Sequence, residues 1–152
     1  VTYDLTAKLT EVNDTYVAVE LTTAWYAEGA AHEALDLIVY VVARATGERV
    51  VLADIFRSEA PALRVISRYA RERLPVLLDV APDDTWGRDT LVSGTAPVAA
   101  SFERVTPRAE GLRVTFGTYQ VASFAQGFPV LDVPWSLLRP YLAITPPSRS
   151  AS

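Results

Sequence analysis

The chain has 152 residues, a net charge of −4 and a pI of about 5.0; 50% of its residues are hydrophobic and 21% charged. That length suits one domain that buries its own core, and the absence of cysteine excludes a disulfide framework and a thiolate metal site. The acidic balance argues against a nucleic-acid partner, which calls for a basic face, and no apolar run approaches the ~20 residues that span a bilayer.

Methionine is also absent, even at position 1. Val1 is therefore expected to follow a processing site or another boundary, and a signal peptide or anchor is expected to be missing from the sequence ahead of it. Lys8 is the sole lysine and the other basic residues are arginine, the bias of a GC-rich coding genome.

The first third reads as strands. "YDLTAKLTEV" alternates, with Tyr3, Leu5, Ala7 and Leu9 on one face. "VNDT" over 12–15 supplies a turn, and "YVAVELTTAWY" over 16–26 alternates again through Val17, Val19, Leu21, Thr23 and Trp25. The two predict an antiparallel hairpin. After the loop "AEGAAHEA", "LDLIVYVVARA" is apolar at successive positions, which predicts a central strand covered on both faces. "TGER" is a turn, and "VVLADIF" a short strand running into a corner.

One long helix is predicted over about 59–79, with Ser58 as N-cap and Pro61 in the first turn. Leu63, Ile66, Ala70, Leu74 and Leu77 recur at helical spacing and should face the core. Arg64, Arg68 and Arg71 fall on another side, and Pro75 should kink or end the helix. Residues 80–100 carry Pro, Gly and Asp signals and read mostly as loop. "SFERV" and "LRVTFG" predict a hairpin around "TPRAEG". "VLDV" is a last short strand, and Pro134 opens a closing helix that runs to about Leu142 with a break near Pro140. The Pro- and Ser-containing end "TPPSRSAS" predicts disorder. The expected fold class is α+β: an antiparallel β-sheet packed against one long helix, with a short C-terminal helix. It forms a single domain over 1–144, with a disordered tail over 145–152.

Chemical motifs are sparse. A serine hydrolase requires an activated nucleophile and an oriented base. His32 is the only histidine, and "VSGTA" over 92–96 is not a nucleophile elbow. One histidine without cysteine is a poor zinc ligand set. Asp83, Asp84 and Asp89 lack the regular spacing of a calcium loop and read more simply as a solvated loop. Glu20, Glu28, Glu33 and Asp36 cluster in sequence, but their spacing fixes no carboxylate pair. The arginine row of the helix is either a dock for an acidic partner or simply its solvated side. Tyr119, Phe124 and Phe128, with Gln120 and Gln126, have two readings. They form a contact surface for a sugar or a protein, since aromatic faces cover apolar patches and amides read hydroxyls. Alternatively, they pack a tight corner whose backbone Gly127 permits, which is the plainer reading. No catalytic residue, metal or cofactor is expected.

Three segments, in order, resemble the RsiV-type extracytoplasmic domain family. "LRVTFGTYQVASFAQGFPVLDVPWSLL" is similar to the closing motif of that family, Y-x-V-A-P-Y-A-x-G followed by a strand, I-P and a leucine helix. Tyr119, Val121, Ala122, Ala125, Gly127, Val133, Pro134 and Leu138 fit it; Ser123 and Phe124 stand where Pro and Tyr are usual. "EGAAHEA" resembles the G-G-A-H-G loop through Gly29, Ala31 and His32, with Ala30 and Glu33 in place of two glycines. "ATGERVVLADIF" resembles T-G-K-x-x-x-L-x-D-L-F. The resemblance spans about residues 1–142. It implies a bacterial envelope or secreted protein, with lipid anchoring among the options, and similarity to domains that accompany peptidoglycan deacetylases and to secreted actinobacterial antigens. The implied function is non-catalytic binding of a protein such as lysozyme or of a cell-wall glycan. The candidate ligand-binding residues are His32, Tyr119, Gln120, Phe124 and Gln126. The alternative is a secreted esterase or glycan hydrolase that uses His32.

Overall fold

The computed structural model describes residues 1–150. Seven strands and four helices follow one another as β1 (Thr2–Val12), β2 (Tyr16–Tyr26), β3 (Ala34–Ala43), β4 (Arg49–Val50), α1 (Leu52–Ile55), α2 (Glu59–Leu77), α3 (Thr85–Gly94), β5 (Val105–Pro107), β6 (Gly111–Thr115), β7 (Val130–Pro134) and α4 (Trp135–Leu138). The fold is α+β. The antiparallel strands divide into two sheets, β1-β2-β3-β4 and β5-β6-β7.

The second sheet carries the larger core. Leu112, Val114, Leu131 and Val133 alternate along β6 and β7, and α2 lays Leu63, Ile66, Ala70 and Leu74 against them. Leu77, expected in that face, is 54% exposed, because the helix ends there and its last turn has passed the edge of the core. Pro75 sits inside α2, and the helix stops only two residues later. Ser58 precedes the helix without a side-chain cap.

The first sheet has a smaller core of Tyr16, Ala18, Leu37, Val39 and Val41. It is covered on one side only, which corrects the expectation of a doubly covered β3. Ile38 and Tyr40, the alternate residues of β3, are 45% and 40% exposed, because the second sheet and helices pack on the opposite face. The β1–β2 register places Tyr3, Leu5, Ala7 and Leu9 opposite Trp25, Thr23, Leu21 and Val19, all on that outward face. A bulge between Leu9 and Glu11 ends the regular ladder.

A polar seam joins the sheets. Arg108 pairs with Glu11 at 2.7 Å; within the second sheet itself, Arg113 of β6 makes a two-pronged bond to Asp132 of β7 that holds this carboxyl below the usual carboxylate range. Asn13 is fully buried in the β1–β2 turn. Its amide donates to the Pro107 carbonyl, and its oxygen accepts from the backbone N–H groups of Thr15 and Tyr16.

Further segments depart from expectation. "VVLADIF", expected as a short strand, pairs with β3 only through Arg49–Val50 and then forms the helix α1 at Leu52–Ile55, whose first turn is tied by the Asp54 side chain accepting from Val51 N–H. Residues 80–100 are not mostly loop, since α3 and a 3-10 turn at Ala99–Phe102 occupy much of the stretch. Asp84, from the supposed solvated acidic cluster, is the N-cap of α3 and accepts from Gly87 N–H at 2.9 Å. Of the tail expected to be disordered, residues 145–150 lie against the molecule. Arg149 forms a β-bridge with Asn13 and pairs with Glu110, and Ser148 exchanges backbone and side-chain bonds with Asp14. Residues 151 and 152 lie outside the described residues.

Candidate functional site

The loop before β3 and the loop between β6 and β7 meet at one end of the molecule, and each is built by local backbone chemistry. In the first, Gly29 takes a φ of 87°, and the Tyr26 hydroxyl donates to the Ala30 carbonyl. The second opens with a turn over 117–120. There the Gln120 side-chain oxygen accepts from Gly117 N–H, while its amide nitrogen donates to the carbonyls of Gly94 and Ser101. A 3-10 turn at Phe124–Gln126 follows, closed by Gly127 with a φ of 63°.

Three of the five sequence-derived candidates come together here. Phe124 stacks on the His32 ring with centroids 4.1 Å apart and planes at 22°. Tyr119 lies 5.9 Å from Phe124 between centroids and is 50% exposed. His32 Nδ1 donates to the Glu33 carbonyl at 2.7 Å, so in the neutral ring Nε2 is the acceptor for the Tyr119 hydroxyl at 2.9 Å. The result is an outward aromatic surface with a polar rim, in which the hydroxyl and the imidazole fix each other's orientation.

Gln120 belongs to the scaffold: its three bonds hold the turn that presents Tyr119. Gln126 is exposed and directs its amide to the Leu78 carbonyl at 3.5 Å, apart from the aromatic group. A hydrolase would require a serine or carboxylate beside His32. Among the described residues, both ring nitrogens instead hydrogen-bond with the Glu33 carbonyl and the Tyr119 hydroxyl.

An open cleft of about 780 Å³ is lined by Asp36, Val39, Arg49, Glu59 and Arg104 among others, none of them from the aromatic group. Arg104 ties the cleft to the loop. Its guanidinium packs beside Gly117, its Nε donates to the Leu37 carbonyl at 2.7 Å, and Asp36 lies 3.7 Å from it. Sequence reasoning missed Arg104, because a lone arginine in "SFERV" carries no periodic signal and its partner Leu37 is 67 residues away. Among the described residues there is no group of three or more His, Asp or Glu placed to hold a metal ion, and no helix long and apolar enough to cross a membrane.

Comparison with known proteins adds to this geometry. Residues 53–136 match a family model described as protein of unknown function, DUF3298. A stretch of 89 residues, 59% of this chain, is 34% identical to the peptidoglycan-N-acetylmuramic acid deacetylase PdaC of Bacillus subtilis strain 168, of which it covers 18%. Two solved structures share the fold. One is a DUF3298 family protein from Pseudomonas aeruginosa PAO1, with a TM-score of 0.73 and 18% identity, over 92% of this chain and 61% of that one. The other is a family member from Bacteroides fragilis NCTC 9343, with a TM-score of 0.72 and 16% identity, over 95% and 55%. The chain thus spans less than two thirds of each of these relatives.

Proposed function

The chain belongs to the DUF3298 family, and from that premise we propose that it is an extracytoplasmic, non-catalytic binding domain of the bacterial cell envelope that recognises peptidoglycan glycan. The observation that carries this reading is the His32–Tyr119–Phe124 group, in which His32 and Tyr119 are exposed and Phe124 is half-buried beneath His32. Flat aromatic faces cover the apolar face of a sugar ring, while the tyrosine hydroxyl offers a partner for its hydroxyl and amide groups. The identity with part of a peptidoglycan deacetylase supports the choice of glycan. The resemblance to RsiV-type domains supports an alternative occupant of the same surface, a lysozyme-like protein.

Calorimetric titration with soluble peptidoglycan fragments and, separately, with lysozyme tests the reading. Fragments are expected to bind, and Tyr119→Ala or Phe124→Ala to weaken binding roughly threefold to tenfold, the equivalent of about 0.5–1.5 kcal/mol for an aromatic contact. Gln126→Ala should leave it unchanged. Binding of lysozyme alone moves the assignment to the protein partner, and binding of neither by the folded chain overturns it.

A further inference from the structure

The outer edge of the first sheet is β1, whose far side pairs with no strand among the described residues. Such an edge is a template for another strand, and proteins guard it by keeping it short, by capping it or by placing charges on it, which only a partner strand of complementary charge accommodates. Here Thr2–Leu9 holds one register for eight residues, counting both ends, before the bulge at Thr10, and it is exposed throughout. Its two charges, Asp4 and Lys8, have no ion-pair partner within 4.0 Å among the described residues.

We propose that β1 pairs antiparallel with β1 of a second copy of this chain, about a two-fold axis at Thr6. The sequence of the edge is self-complementary in that register. Asp4 meets Lys8 of the other copy and Lys8 meets Asp4, on the inward face. On the outward face Tyr3 meets Leu9 and Leu5 meets Ala7, while Thr6 meets itself. Moving the axis to Leu5 sets Asp4 against Thr6 and Lys8 against Thr2. Moving it to Ala7 sets Asp4 against Thr10 and Lys8 against Thr6. Only the axis at Thr6 joins the opposite charges, and pairing there engages Tyr3–Leu9 of the regular stretch. An isologous contact of this kind closes on itself as a dimer, with each copy offering the same strand. The two four-stranded sheets then form one continuous sheet. This surface is separate from the aromatic group, so the two assignments stand or fall independently.

Sedimentation velocity on the 152-residue chain, from micromolar to submillimolar concentration, tests the pairing. Lys8→Asp places like charges opposite each other at both symmetry-related positions, and Asp4→Lys does the same with the other sign. Each is expected to weaken the dimer about tenfold or more. Circular dichroism should be unchanged, since both side chains are exposed. An equimolar mixture of the two single variants should dimerise as the native chain does. One variant then carries a carboxylate at both edge positions and the other an ammonium at both, so every facing pair joins opposite charges. The double variant Asp4→Lys with Lys8→Asp should also recover. A native chain that stays monomeric throughout, a dimer indifferent to both reversals, or single variants whose mixture fails to recover would each overturn the proposal.

Discussion

Tyr119 holds a φ of 61°, a left-handed backbone conformation that a bulky side chain seldom adopts. Such a conformation costs on the order of 1–3 kcal/mol and persists only where the surroundings impose it. Here they are identifiable: the Gln120 amide, the Gly94 carbonyl and the Gly117 N–H lock the turn. Gly94 makes that approach possible, since a Cβ there would overlap the Gln120 carbonyl oxygen. Gly94→Ala is therefore expected to destabilise the chain by about 1–3 kcal/mol, as overpacking does, and to weaken glycan binding through the displaced turn. Urea unfolding checks the first effect and calorimetry the second. Equal stability and binding in the variant would show that the loop is not held through this contact. Gly127 in the corner was legible from its sequence neighbours. The meeting of His32 with Tyr119 was not, because 87 residues separate them.

Among the helices and strands, α3 was the least legible. "DDTWGRDTLVSG" carries two glycines and little apolar content, and local signals favour a loop. The Asp84 cap starts the helix, and the burial of Leu91 anchors it to the core. Its far end is held by α2. Ser67 donates to the Thr95 carbonyl at 2.6 Å, and Arg71 donates to the Thr95 hydroxyl and the Val92 carbonyl. A cation at the last carbonyls also complements the helix dipole. Arg71 is thus not simply part of a solvated row. Replacing it with alanine is expected to cost about 1 kcal/mol, against about 0.5 kcal/mol or less for Arg68→Ala. Thermal unfolding of the two variants side by side distinguishes them, and equal midpoints would count against this role. By contrast, α2 was legible in advance, because its apolar stripe is long and regular.

Across the full chain, the join between the two sheets depends on few groups. Asn13 satisfies backbone donors in its own turn and the Pro107 carbonyl of the other sheet, 94 residues away. Removing it strands buried polar groups on both sides. Asn13→Ala is expected to cost about 2–3 kcal/mol, lowering the midpoint of a single denaturant transition. A separate early transition of the first hairpin would instead show that the sheets unfold independently.

Local periodicity and punctuation encode most of the elements. The β1–β2 hairpin follows from two alternating runs about a turn, the long helix from a stripe repeating at helical spacing, and the last hairpin and closing helix from glycine and proline signals. These depend on residues a few positions apart, so they can be read along the chain. Which face each element buries is settled only by packing. Alternation in β1, β2 and β3 marks two faces but does not say which one meets the core. The apolar row Tyr3, Leu5 and Leu9 lies outward because the second sheet packs behind Tyr16, Leu37 and Val41. The same holds for the candidate site. Gln120 and Tyr119 are neighbours of similar promise in the sequence, yet long-range contacts assign one to the scaffold and the other to the surface. Those contacts exist only once distant segments are packed together.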